Sequence, residues 1–157
     1  MKKKTLNSIF NILIVNAIED ASGFGGLVTF GLLILVMMGK SLSLAIEAII
    51  LLILIYLVVY TIRKFYFKER PNKMKFDNAI EKIDASSFPS MHSARIFSMC
   101  TFVFLNFNLN QYLTVVLSLI AIFTAMGRIL KKKHDFVDIS VGAIIGIVIA
   151  ILVHFIV

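Results

Sequence analysis

Two of the three histidines, His92 and His134, and one aspartate, Asp138, stand beside cations in an otherwise apolar chain, a grouping suited to phosphoryl transfer. His92 lies in SFPSMHSAR, residues 87–95. Pro89 can open a helix there, so that the backbone N–H groups and the Ser90 hydroxyl meet an anion. His134 and Asp138 lie in GRILKKKHDFVD, residues 127–138, with Arg128 at its start. If a helix begins near His134, Asp138 falls four residues on and shares its face. A carboxylate so placed can accept the proton of one ring nitrogen and leave the other as a nucleophile or base. Two facing imidazoles suit a two-step transfer, one attacking phosphorus and the other protonating the leaving oxygen. The transferred group spreads negative charge over its oxygens, so fixed cations are required. Arg70, Arg128 and a basic residue at 63 or 64 can supply them, and the planar guanidinium binds two oxygens at once.

A metal centre is the competing use of two histidines and an aspartate. Zinc usually takes three or four protein ligands, with cysteine or further histidines, and the surrounding arginines and lysines would repel a cation. No metal and no other cofactor is therefore expected. Lys73, Lys75 and Lys131 to Lys133 read as topology and lipid-surface charges. Arg95, one turn into a helix, is left open. Glu47 is placed near a helix start, from which it can snorkel, and His154 is expected to have no role.

The elements that position these groups follow from hydropathy. With 59% hydrophobic residues and a mean hydropathy of +0.94, the chain exceeds the about 45–50% apolar content of soluble domains and reads as an all-α integral membrane protein. Its net charge of +7 sits in short loops beside apolar runs, not on a separable polar face. That pattern favours the bilayer and lipid phosphate as partners and argues against nucleic acid. The single cysteine, Cys100, excludes a disulfide framework. Residues 1–20 show helical periodicity and read as an interfacial amphipathic helix, with a short first span as the alternative. Transmembrane helices are expected at 21–39, 41–62, 90–107, 112–129 and 135–157, five in all, or six if the N-terminal segment spans. The charge-free run 96–127 is too long for one crossing and turns back at Asn106, Asn108, Asn110 and Gln111. Gly142 and Gly146 have the spacing that lets helices pack closely, and Gly23, Gly25, Gly26 and Gly31 are expected to do the same. The loop 63–89 holds Phe76, Ile80 and Ile83 at helical spacing, consistent with a short interfacial helix. With five spans, the 63–89 and 128–134 loops and the start of the 90–107 helix share one face, in a single domain over 1–157.

These residues resemble the membrane-bound type 2 phosphatidic acid phosphatase family, also called lipid phosphate phosphatases, with its motifs KX6RP, PSGH and SRX5HX3D. They stand here as RKFYFKERP (63–71), PSMH (89–92) and GRILKKKHDFVD (127–138), in the family's order and spacing. The resemblance implies a helical bundle and metal-independent hydrolysis through a phosphohistidine. It implies His134 as nucleophile, Asp138 as its orienting carboxylate and His92 as the acid for the leaving group, with Arg63, Arg70, Ser90, Met91 and Arg128 around the phosphate. Three positions depart from the pattern. Arg63 stands for the motif lysine with Lys64 one residue away, Met91 replaces the glycine but keeps its backbone N–H, and Gly127 replaces the serine.

A site at the membrane edge suits a lipid phosphate or diphosphate: polyprenyl phosphate or diphosphate, phosphatidic acid or phosphatidylglycerol phosphate. The alternatives are a catalytically silent membrane protein that binds anionic lipid or assembles with partners, and a lipid phosphotransferase. Fifteen of the sixteen Lys and Arg residues fall on the site-bearing face and only Lys40 on the other. The positive-inside rule then places the site on the cytoplasmic face of the cell membrane.

Overall fold

The computed structural model describes residues 22–157, so the expected interfacial helix at 1–20 lies outside the described residues. Among these the chain is all-helical. A 3-10 turn, Ser22–Gly25, leads into α1 (Leu27–Lys40), α2 (Leu42–Phe65), α3 (Ala79–Ala85), α4 (Met91–Asn106), α5 (Gln111–Leu130) and α6 (Phe136–Ile156).

Among the described residues three helices, α2, α5 and α6, are long and apolar enough to cross a membrane. The expected first span, 21–39, is shortened by its glycines. Gly26 is extended and bonds back to Gly23, so the regular helix starts only at Leu27. With 14 residues α1 is about 21 Å long, and α4 with 16 is about 24 Å. Both fall short of the ~30 Å hydrocarbon thickness. The turn between α4 and α5 falls where the asparagines foretell it: Asn110 caps α5 by accepting the Leu113 N–H at 2.9 Å. The 63–89 loop is shorter than expected because α2 continues to Phe65, and the helix expected within it is α3, capped by Asn78.

α4 and α6 pack most closely. A Cβ on Gly142 would collide with the carbonyl oxygen of Ser90, and one on Gly146 with that of Ala94. The spacing of small residues thus brings backbone onto backbone, as the sequence predicts. Of the earlier glycines only Gly25 makes such a contact with another helix, its Cβ position lying 2.8 Å from the His92 carbonyl oxygen. Phe30, Leu51, Ile55, Val59, Ala94, Phe102 and Val153 fill the core. Large apolar side chains such as Leu35, Ile53, Leu57, Val148 and Leu152 point outward and are exposed. In water that surface would be a liability; against lipid it is the solvated face.

Glu47 does not snorkel. It is buried at the end of the bundle away from His92 and His134, where it accepts a 3.0 Å hydrogen bond from Asn106 Nδ2 and lies 3.2 Å from His154 Nδ1. A carboxylate in the hydrocarbon region needs partners, and residues of α4 and α6 supply them. His154, expected to be idle, is one of those partners.

Candidate active site

The three sequence stretches meet because their backbones are bonded to one another. Arg63, in the last turn of α2, donates from Nη2 to the Pro89 carbonyl at 2.9 Å. The Ser90 N–H donates to the Asp138 carbonyl at 2.9 Å, and the Asn72 N–H to the Lys132 carbonyl at 2.8 Å. The Ser87 N–H and hydroxyl bond the carbonyls of Lys68 and Glu69. These bonds enclose a cavity of about 310 Å³ lined by Arg63, Arg70, Met91, His92, Arg128 and His134 together with Tyr56, Tyr60, Met74, Asp84, Arg95 and Lys133.

His134 sits in the turn ahead of α6 and is 2% exposed. Its Nδ1 lies 2.7 Å from the Ser87 carbonyl oxygen. A carbonyl can only accept, so Nδ1 carries the proton and Nε2 is the basic nitrogen. Burial holds the imidazole below the ordinary histidine range, and Arg128 and Arg70 push the same way against the opposing pull of Asp138 and the Ser87 carbonyl. The ring is therefore neutral, the form in which Nε2 is a nucleophile.

Asp138 is placed differently from the expectation. The helix starts at Phe136, because Asp135 and Asp138 form a reciprocal capping box with two bonds of 3.0 Å. Asp138 is consequently the third residue of α6 and His134 precedes the helix, so the two do not share a helix face. The Asp138 carboxylate stands 3.7 Å from His134 Nδ1, beyond hydrogen-bond range. Its Oδ1 instead accepts from Lys68 Nζ at 2.8 Å, and Lys68 also reaches Asp135 at 2.5 Å. Burial alone would lower the Lys68 ammonium, but the two carboxylates outweigh it and raise the group above its usual range. Lys68 carries no signal in the sequence, where it is one more lysine in a basic loop. The D-x-x-D pattern at 135–138 could have revealed the cap.

Arg63, 3% exposed, lines the cavity while Lys64 is exposed, so the geometry favours Arg63 as the first basic residue. Arg70 donates from Nη2 to the Asp84 carbonyl at 2.6 Å, and burial holds its guanidinium somewhat below the usual range. The charge of Arg128, at the end of α5, is the main cause that lowers the Lys133 ammonium below its usual range. The Nε atoms of Arg70, Arg95 and Arg128 are buried without a hydrogen-bond partner. Four guanidinium side chains, those of Arg63, Arg70, Arg95 and Arg128, line one cavity, a setting that suits an anion.

Ser90 lies behind this wall. Its N–H is taken by Asp138, and its hydroxyl oxygen accepts from the Ser93 hydroxyl at 3.1 Å. Met91, buried, puts its side chain on the cavity, as the departure from the motif glycine foretells. Arg95, left open by the sequence, is a wall residue: Nη1 donates to the Tyr56 hydroxyl at 2.9 Å, and Nη2 lies 3.4 Å from His92 Nδ1.

Residues 43–157 match the model of the PAP2 superfamily, a stretch that contains every residue named above around the cavity. The chain belongs to the PAP2 superfamily. Its fold is similar to that in the crystal structure of Aquifex aeolicus LpxE, with a TM-score of 0.73 at 22% identity, over 90% of this chain and 85% of that one. At this identity the likeness is one of fold. No curated protein matches the chain. The family's three motifs coincide with the cross-bonded stretches, so for this PAP2 member the motif spacing reflects a network of backbone hydrogen bonds as well as a set of side chains.

Proposed function

We propose that this PAP2 protein hydrolyses a lipid phosphate or diphosphate without a metal, through a phosphohistidine on His134. The observation that carries the reading is the cavity itself: a neutral histidine with a basic Nε2, a second histidine, and four guanidinium groups among the lining residues. In the first step Nε2 of His134 attacks phosphorus and the bond to the leaving oxygen breaks. That oxygen keeps the electron pair, accepts a hydrogen bond from the Nε2–H of His92 and, where it is an alkoxide, takes a proton from solvent that the attacking water later replaces, while Arg63, Arg70 and Arg128 hold the phosphoryl oxygens. Water then attacks the phosphohistidine, releasing inorganic phosphate and restoring the imidazole. Ser90 and Met91 shape the wall behind the phosphate.

A lipid substrate is supported by a second, apolar groove of about 340 Å³ that includes Phe97, Met126, Ile129, Phe136, Ile139 and Ala143. Ile129 follows Arg128 and Ile139 follows Asp138, so the groove begins at the level of the phosphate site and can seat a hydrocarbon chain. Polyprenyl phosphate or diphosphate, phosphatidic acid and phosphatidylglycerol phosphate all carry such a chain. The protein in detergent should release phosphate from at least one of these lipids, with full rate in excess chelator. Rate lost to chelator would overturn the metal-free mechanism, and no release from any lipid would favour a binding protein.

The five-helix count with the site facing the cytoplasm is part of the same proposal. Lys40 stacks over Phe107 at 4.9 Å, at the end of the bundle that, among the described residues, lacks other Lys and Arg. Reporter fusions at Val157 and within the Asn108 turn should both lie outside the cell; both inside would reverse the orientation.

A further inference from the structure

Arg95 is more than the phosphoryl group needs. Arg63, Arg70 and Arg128 already surround the site, and each belongs to a motif that positions the transferred phosphate. Arg95 comes from α4 and is 5% exposed. It is aligned by the Tyr56 hydroxyl at 2.9 Å, and its buried Nε has no partner. It touches His92, the residue that meets the leaving oxygen, at 3.4 Å, and sits nearly a turn further into the helix. Arg95 lines the cavity beside His92, so its guanidinium belongs to the leaving group's side.

The contact with His92 adds an independent chemical constraint. A guanidinium can only donate, so His92 Nδ1 must be an acceptor and the ring proton sits on Nε2. A neutral imidazole that gave up this proton would become an imidazolate, so in this arrangement His92 is a hydrogen-bond donor and a poor acid. An alkoxide leaving group needs a proton. A phosphate leaving group, whose last ionisation lies near ~6, does not.

We infer that Arg95, aligned by Tyr56, forms a second anion subsite on the leaving-group side, which selects a lipid diphosphate over the corresponding monophosphate. This rests on the phosphatase reading above. His134 attacks the terminal phosphorus, the bond to the bridging oxygen breaks, and the lipid monophosphate leaves with the electron pair on that oxygen, held by Arg95 and the Nε2–H of His92. Water completes the turnover, so one diphosphate and one water give a lipid monophosphate and inorganic phosphate.

The test compares dodecyl diphosphate, dodecyl monophosphate and inorganic pyrophosphate with the full chain in detergent. Wild type should favour the diphosphate lipid over the monophosphate by at least about tenfold in kcat/KM. Arg95→Gln should lower both and compress the preference below about threefold, with Tyr56→Phe part of the way. Tyr56→Phe carries the comparison if Arg95→Gln does not fold. No preference in wild type, or an Arg95→Gln loss equal for both lipids, overturns the subsite. Pyrophosphate cleaved as fast as the lipid diphosphate keeps the subsite and overturns its assignment to a lipid. If wild type cleaves no lipid, the phosphatase reading falls and the subsite is read by binding alone. Pyrophosphate held more tightly than phosphate, with the excess lost in Arg95→Gln, then supports it, and equal binding overturns it.

Discussion

His134→Ala is expected to lower phosphate release by at least ~10³-fold while leaving the helices intact. The ring's Nδ1 is held by the Ser87 carbonyl at 2.7 Å, so only Nε2 is basic, and no other neutral histidine in the described residues is held that way beside the buried arginines. Wild type quenched in alkali after mixing with phosphorus-labelled lipid should carry a phosphoryl group that acid removes, and His134→Ala should carry none. A fully active His134→Ala protein would end the nucleophile assignment. The same imidazole should set the acid limb of the pH profile. Its folded value is held below the ordinary 6.5 by burial and by Arg128 and Arg70. The reactive neutral form therefore persists as pH falls through 6.5, and the limb should lie below that value. Arg128→Gln, which removes one of the depressing charges, should move the limb upward as well as weaken turnover.

Asp138→Asn is expected to cost about 10²-fold in kcat, for a reason other than the hydrogen bond the spacing suggests. Once Nε2 is bonded to phosphorus the ring is cationic, and the fully buried Asp138 carboxylate stands 3.7 Å from Nδ1. Unit charges about 4 Å apart attract by roughly 4 kcal/mol at an effective dielectric of about 20, part of which is shared here with Lys68. Asparagine keeps the shape and the cap acceptor but removes the charge. Lys68→Met should act in the same direction but more weakly, because it frees Asp138 from one anchor, and the two changes together should not add. Turnover of Asp138→Asn at the wild-type rate would show that the carboxylate serves only to cap α6.

Much of this architecture is legible in the chain. Long apolar runs place α2, α5 and α6, asparagines mark the α4 to α5 turn, and Gly142 with Gly146 announces the closest helix pair. The motif histidines and arginines fall together around one cavity, as their grouping in the chain leads one to expect. What stays hidden depends on local competition or on distant partners. Asp135 takes the helix start from His134 by capping, which moves Asp138 off the expected face. Lys68 and Arg95 acquire their places only through residues 67 and 39 positions away, Asp135 and Tyr56, which no periodicity reports. Glu47 looks like a snorkelling surface residue until Asn106 and His154 arrive from other helices.

Gly25 lies outside the stretch 43–157 that defines the family, yet it abuts the backbone of His92 so closely that a methyl group there would stand 2.8 Å from its carbonyl oxygen. The stretch that family comparison recognises and the stretch that packs against His92 thus have different boundaries on the chain.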